Sequence, residues 1–322
     1  VIQTPEESCI FAAQILLLEH KILMMKLQYA LVLLFVTMFF AANAQLRYGF
    51  KTGLSIAHFT GPSEVDDAGT DLETWKNVTG FHIGATFTYK FTDNFGLRGE
   101  LLYSKKGAKY TFDGQSYRVF RYDGGSTLSY GSSRYLVNIN NSYLDIPVLG
   151  VARWGDFEFS AGGYVGFLIG SVGDGSLRYS GKTAPPQQFQ IKDKETNNEE
   201  LVFNLNYNYR KDDPGAGEGA AKVIAELGTR DVELPKTLGA YFDYTEDRGK
   251  VFNGLDYGLI GGFSYYLSST LYAGIRLQYG LADVTNNTAD LSKARINADG
   301  TSIYRDDKDK NFAVQVSVGF SF

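Results

Sequence analysis

Cysteine is almost missing from this sequence: Cys9 is the only one in 322 residues. No disulfide can form within the chain, and no thiolate-rich metal site can be built from it. Histidine is nearly as scarce, with three (His20, His58 and His82), so candidates for an imidazole base are few. Charge of one sign is lacking too. The 31 Lys and Arg stand against 36 Asp and Glu, a formal net charge of −5, which is too mild and too acidic for nucleic-acid binding. Beyond residue 44 no continuous apolar run reaches the ~20 residues of a membrane-spanning helix, which excludes a helical membrane protein.

One apolar run lies near the start. Lys26 precedes a Leu/Val/Phe/Met-rich stretch from Leu27 to Phe40, followed by Ala42-Asn43-Ala44. A basic residue, an apolar stretch and a small-residue site are the parts of a cleavable secretory signal. The expected organisation is an upstream extension over 1–23, ahead of a natural start at Met24 or Met25, a signal peptide over 24–44, and one domain over 45–322. Cleavage after Ala44 would remove Cys9 and His20. It would also remove Lys21 and Lys26 against Glu6, Glu7 and Glu19, moving the formal charge one unit towards neutrality.

What the chain has in quantity is alternation, together with 22 Tyr and 23 Phe. Its last residues, FAVQVSVGFSF, place Phe312, Val314, Val316, Val318, Phe320 and Phe322 on one face of an extended strand and small or polar residues on the other. Seven further segments share the pattern, near 46–56, 81–91, 95–104, 143–154, 157–169, 255–267 and 271–281. Their apolar faces carry, for example, Phe87 and Phe91, Leu97 and Leu101, or Leu259 and Phe263. Thr92-Asp93-Asn94, Gly155-Asp156 and Ser268-Ser269-Thr270 make short connections from turn residues. The remaining joins, near 61–77, 113–140, 173–252 and 285–310, are long and polar.

Short turns at one end and long loops at the other are the layout of an outer-membrane barrel. The predicted fold is therefore all-β: an eight-stranded antiparallel transmembrane β-barrel with short periplasmic turns and long extracellular loops. A strand of ~11 residues spans ~37 Å and, tilted by ~40°, covers ~28 Å, enough for an apolar band of ~25 Å. Phe91, Phe95, Trp154, Phe157, Tyr265, Phe320 and Phe322 fall near the short-turn ends, where an aromatic girdle belongs. A soluble lipocalin-like barrel has the same period but buries the apolar face. So many rings would crowd an eight-stranded interior, whereas the Gly- and Ser-rich opposite face suits a narrow lumen.

GFKTGLSIAHF (49–59), ELLYSKKGAKY (100–110), SYLDIPVLGVARW (142–154) and the terminal FAVQVSVGFSF resemble the PorT-like outer-membrane barrel family of Bacteroidetes, also described as an outer membrane protein beta-barrel domain. The resemblance spans essentially all of 45–322, and YLDIP is its most specific part. It implies an eight-stranded barrel inserted by the barrel-assembly machinery through a C-terminal aromatic signal, here Phe320 and Phe322. It also implies, for one branch, a link to protein secretion. The 173–252 connection is longer than the family pattern.

The inward face predicts a charge network of Arg47, Lys51, Lys90, Arg98, Glu100, Asp145, Arg153, Glu158, Asp256 and Arg276. Buried charges must be paired, so a salt-bridge plug is expected rather than an open pore. His58 or His82 beside Ser55 or Ser104 is the only imaginable nucleophile–base set. No G-x-S-x-G elbow supports it, and neither an enzyme, a cofactor nor a metal is expected. Arg305-Asp306-Asp307-Lys308-Asp309 reads as a solvated loop end, with a divalent ion near lipopolysaccharide as the alternative. Within 173–252, LVFNLNYNY (201–209) reads as strand and AAKVIAELG (220–228) as a short helix. Long outer loops commonly carry binding. The expected role is structural or surface-interacting, with outer-membrane lipid, lipopolysaccharide, the assembly machinery, and secretion components or an extracellular ligand as partners, and no nucleic acid.

Overall fold

The computed structural model describes residues 46–322, and the expected upstream extension and signal peptide lie outside the described residues. Eight strands form a closed ring: β1 (Leu46–Thr60), β2 (Val78–Lys90), β3 (Phe95–Tyr122), β4 (Gly125–Trp154), β5 (Phe157–Thr183), β6 (Leu255–Tyr266), β7 (Leu271–Gly280) and β8 (Lys310–Ser321). Each pairs antiparallel with its chain neighbours. β1 closes the ring on β8, from Gly49 opposite Ser321 to Thr60 opposite Lys310. Closure leaves no unpaired edge inside lipid, where a free N–H or C=O has no water to bond. The three short turns form as read. Thr92 Oγ1 accepts from the N–H of Asn94 and Phe95, Ser268 Oγ from those of Thr270 and Leu271, and Gly155 takes the left-handed φ of +61°.

The ring wears its apolar residues outside. Leu54, Phe87, Leu101, Val148, Phe167, Leu259, Leu277 and Val316 are all exposed, as are the girdle residues Phe91, Phe95, Trp154, Phe157, Tyr265, Phe320 and Phe322. Phe95 meets Trp154 edge to face at 5.7 Å, and Phe157 lies 5.3 Å from Tyr265. Above the belt the polarity inverts. On β3 the inward residues run Arg98, Glu100, Ser104, Lys106 and then Ala108, Tyr110 and Phe112, all buried but now apolar. Their outward neighbours turn from Leu97, Leu101 and Tyr103 to Lys105, Lys109 and Thr111. β4 keeps one parity throughout, with Tyr135, Val137 and Ile139 inward above Tyr143 and Asp145. On β5 the inward parity shifts from Leu168 to Ser171 at an irregularity in pairing opposite Ser142 and Tyr143.

This inversion corrects two expectations. The 113–140 stretch is no loop: β3 and β4 run straight through it as a hairpin turning at Asp123-Gly124, with Gly124 at φ +88°. At ~3.3 Å per residue their 28 and 30 residues extend ~90 Å, more than twice the ~37 Å of a tilted crossing strand. Nor is 220–228 a helix. Gly217–Glu226 is a strand, because Val223, Ala225 and Leu227 alternate into the core and Asp231–Leu238 pairs alongside. Leu201–Asn208 lies antiparallel to the upper part of β5, as expected of LVFNLNYNY.

Together these strands build a head above the membrane with its own apolar core, including Phe59, Phe112, Phe120, Leu177, Tyr179, Phe203, Leu205, Val232 and Phe252. Glu73–Lys76 lies along β3 opposite Phe112–Lys109, and Leu291–Ile296 pairs with Ser302–Tyr304 in the last outer connection. A fully buried Phe lost from such a core costs about 3–5 kcal/mol. Phe203→Ala is expected to open the head to protease on intact cells while the barrel keeps its folded mobility in unheated SDS gels. Unchanged protease resistance would contradict the packed head.

Candidate functional site

The lumen is filled by charged and polar side chains, paired through its middle and upper parts. At the short-turn mouth lie Arg47, Lys90 and Arg153, all half-buried, with the Arg153 guanidinium 3.5 Å from the centre of the Tyr266 ring. Above them Arg98 donates from Nη1 and Nη2 to the two oxygens of Glu158 at 2.7 and 2.8 Å, and from Nε to Thr88 at 2.9 Å. Tyr266 donates to Glu158 as well, at 3.1 Å. Next, Glu100 takes Arg276 at 2.6 Å and Lys51 at 3.5 Å, and Arg276 Nε donates to Gln315. At the top Lys106 sits between Asp145 at 2.9 Å and Asp256 at 3.4 Å, 4.7 Å from the rings of both Tyr143 and Tyr164. Tyr164 Oη and Asn311 Nδ2 donate to Asp256, each at 2.9 Å.

All ten predicted lumen charges therefore face inward, seven of them buried in the plug and three at the mouth. Lys106 is the one that sequence reasoning missed. It lies two residues past the expected end of its segment, yet it continues the inward parity Arg98, Glu100, Leu102, Ser104. It also completes the balance. Lys51, Arg98, Lys106 and Arg276 face Glu100, Asp145, Glu158 and Asp256, four charges of each sign. Small residues make room: a Cβ on Gly319 would come within 2.3 Å of the Tyr272 ring, and one on Gly166 within 2.4 Å of Asp145 Oδ1. The histidines separate. His82 is buried, its ring nitrogens at hydrogen-bond distance from Ser55 (3.2 Å) and Ser317 (2.9 Å), while half-buried His58 packs on Phe312.

Above the plug, the head encloses a cavity of about 120 Å³. Trp75, Tyr110, Tyr135, Tyr207 and Phe242 supply its aromatic wall, and Arg118, Asp243, Asp290, Lys293, Arg305 and Asp309 its charges. Trp75 leans on Tyr110 at 4.7 Å, and Lys293 stands 5.1 Å over the Tyr110 ring. Trp75 Nε1 and Tyr110 Oη are enclosed without a hydrogen-bond acceptor among the described residues, while Arg118 Nη2 pairs with Asp243 at 3.5 Å. Burial raises the Tyr110 phenol well above its usual value, so it remains a neutral donor. Sequence reasoning missed this cavity, because its walls come from β3, β4, the 61–77 and 285–310 connections and the 201–252 segment.

The 305–309 run is not simply a solvated loop end. Asp309 is buried at 2% exposure, and Arg305 turns inward to pair with Glu73, Asp290 and Asp307. Burial, then the neighbouring Asp307 and Asp290, push Asp309 up to about 7 from the ordinary 3.8.

The family's sequence profile, that of the outer membrane protein beta-barrel domain, matches residues 40–286. The chain belongs to this family. Its place is the bacterial outer membrane, where the exposed apolar belt meets lipid. Among solved structures it is similar to Ail, the attachment invasion locus protein of Yersinia pestis (11% identity over 86% of this chain and 99% of that one, TM-score 0.31). It is also similar to Neisserial surface protein A (10%, 85% and 97%, TM-score 0.28) and to OprG from Pseudomonas aeruginosa (11%, 86% and 95%, TM-score 0.29). No curated protein matches the sequence.

Two outcomes are expected. Lys106→Met strands Asp145 and Asp256 and should cost about 3–5 kcal/mol, read as a lower Tm, with little rise in planar-bilayer conductance because tyrosines still fill the section. A large conductance step would contradict the plug. The second concerns pH. A carboxyl whose folded pKa is raised contributes stability below its unfolded pKa, and that contribution is lost as pH rises through the folded value. With divalent ions chelated, the Tm is expected to be higher at pH 5.5 than at pH 8 through Asp309. An opposite slope in the parent, or a slope unaltered in Asp309→Asn, would contradict this assignment.

Proposed function

We propose that the protein is a surface-binding barrel whose plugged transmembrane ring anchors a rigid extracellular head, and that the head cavity holds a small ligand. The observation that carries this reading is the aromatic cavity with its two unaccepted donors, Trp75 Nε1 and Tyr110 Oη, beside the Arg118–Asp243 pair and above a lumen closed by charge pairs. Buried donors without acceptors are costly, and an acceptor-bearing ligand repays them. Flat aromatic walls favour a ligand with an apolar face, so the class is a small molecule joining a planar apolar face to hydrogen-bond acceptors, such as a sugar or an aromatic acid.

A binder is favoured over a lipid-modifying enzyme because His82 is enclosed with hydroxyl partners only. It is favoured over a channel because five ion pairs among four cations and four anions span the lumen. The same reading takes Phe320 and Phe322, exposed beside the short-turn end, as the signal read by the assembly machinery. A role beside protein secretion, as in the PorT-like branch, would instead be supported by recovery of secretion components after crosslinking in intact outer membranes.

The sequence holds two tryptophans, so Trp154→Phe leaves Trp75 as the sole reporter of the cavity. Soluble oligosaccharides and aromatic carboxylates are to be titrated into that variant in detergent. A binding compound should shift Trp75 emission, and Tyr110→Phe should weaken it about tenfold, the worth of one hydrogen bond to a buried group. If no probe moves Trp75 emission, and cells lacking 180–245 bind matrix and host cells unchanged, the reading fails.

A further inference from the structure

We propose that Asp290, Asp307 and Asp309 form a calcium site that ties together the two ends of the last outer connection, at the edge of the head cavity. One carboxylate oxygen from each lies within 4.8 Å of the others. Two oxygens on opposite sides of one Ca²⁺ at ~2.4 Å stand ~4.8 Å apart, so all three can touch a single ion. The donors are hard oxygens with neither His nor Cys, which selects Ca²⁺ or Mg²⁺ over transition metals. Three carboxylates from the protein itself suit calcium, which takes many direct oxygen ligands, better than magnesium, which keeps several of its waters and uses one or two carboxylates.

A second observation is independent of the clustering. Asp309 is buried at 2% exposure, and among the described residues its Oδ1 receives no hydrogen bond; Asp307 Oδ1 is likewise enclosed and unpartnered there. The other Asp309 oxygen accepts only from Thr285 Oγ1, at 3.3 Å. Beside the free Oδ1 stands Gly61, where a Cβ would come within 2.0 Å of that oxygen. A side chain at 61 would therefore press on the free oxygen, and glycine spares it.

Charge counting agrees. Arg305 is shared among Glu73, Asp290 and Asp307, and among the described residues no salt bridge reaches Asp309. Of the other wall cations, Arg118 pairs with Asp243, and Lys293 stands over Tyr110 and Tyr135. Glu64 and Asp283 also lie close, but backbone N–H groups and hydroxyls already serve them. Counting only Glu73, Asp290, Asp307 and Asp309 against Arg305 and Lys293 leaves an excess of two negative charges. Fully ionised, a buried excess of that size calls for a proton or a counter-ion, and one divalent cation cancels it in place of the proton. The bound ion would clasp Asp290 in the connection after β7 to Asp307 and Asp309 just before β8, next to Gly61 after β1.

The test uses the full chain, purified in detergent free of lipopolysaccharide and stripped with EGTA. Calcium chloride is expected to raise Tm saturably, by about 5 °C, with a single-site heat by calorimetry. Magnesium chloride at the same concentration should give a smaller rise. Asp309→Asn should abolish the calcium increment while melting in EGTA no lower than the parent. Should that variant fail to fold, terbium serves on the parent: Tyr-sensitised emission that calcium displaces supports the site. No calcium-dependent shift, no terbium emission, or an unchanged response in Asp309→Asn would overturn it, and an equal response to magnesium would overturn the preference for calcium.

Discussion

The charge pairing inside the ring is the interaction on which the rest depends. Eight strands enclose a space only as wide as side chains, and lipid claims the outward face for apolar groups. Polar side chains must then go inside, and inside there is room for few waters. Four cations matched to four anions, buttressed by Tyr143, Tyr164, Tyr266 and Tyr272, meet both demands at once. Closure of β1 on β8 depends on that filling, because an unfilled or unbalanced interior would leave charge stranded beside lipid.

The ring was legible because period and address agree. A strand alternating Phe, Val and Leu with Gly, Ser and charge shows both its length and its lipid-facing side. Lys106 escaped because the apolar outward partner that marks such a strand ends at Tyr103, although the inward parity carries on. The 113–140 stretch escaped for the deeper reason that leaving the membrane swaps which face is apolar. Tyr135, Val137 and Ile139 have strand periodicity, but Arg134 and Asn138 now stand where lipid-facing residues would be expected, and the eye reads a polar loop. In 220–228 the alanines suggested a helix, while Val223, Ala225 and Leu227 at alternate positions were the better guide once a partner strand was available.

The head sites were illegible for a different cause. Trp75, Tyr110, Tyr207 and Phe242 are far apart in sequence and share no spacing, and only the stacking of outer connections onto extended barrel strands brings them to one wall. Asp290 likewise lies 17 residues before Asp307. What the sequence does register is the raw material: an unusual length of chain after β5, and a cluster of acids just before the last strand. The same outer strands that lengthen the barrel thus supply the cavity, and the connections that close over it carry the carboxylates at its rim.

The neutral plug has a further consequence for anything held above it. A molecule resting in the head stands on a floor with no net charge and no passage, so the only route out is the one by which it came. Under the proposed reading, occupancy of such a blind chamber follows outside concentration and residence time. The architecture suits the retention at the surface that the binding proposal requires.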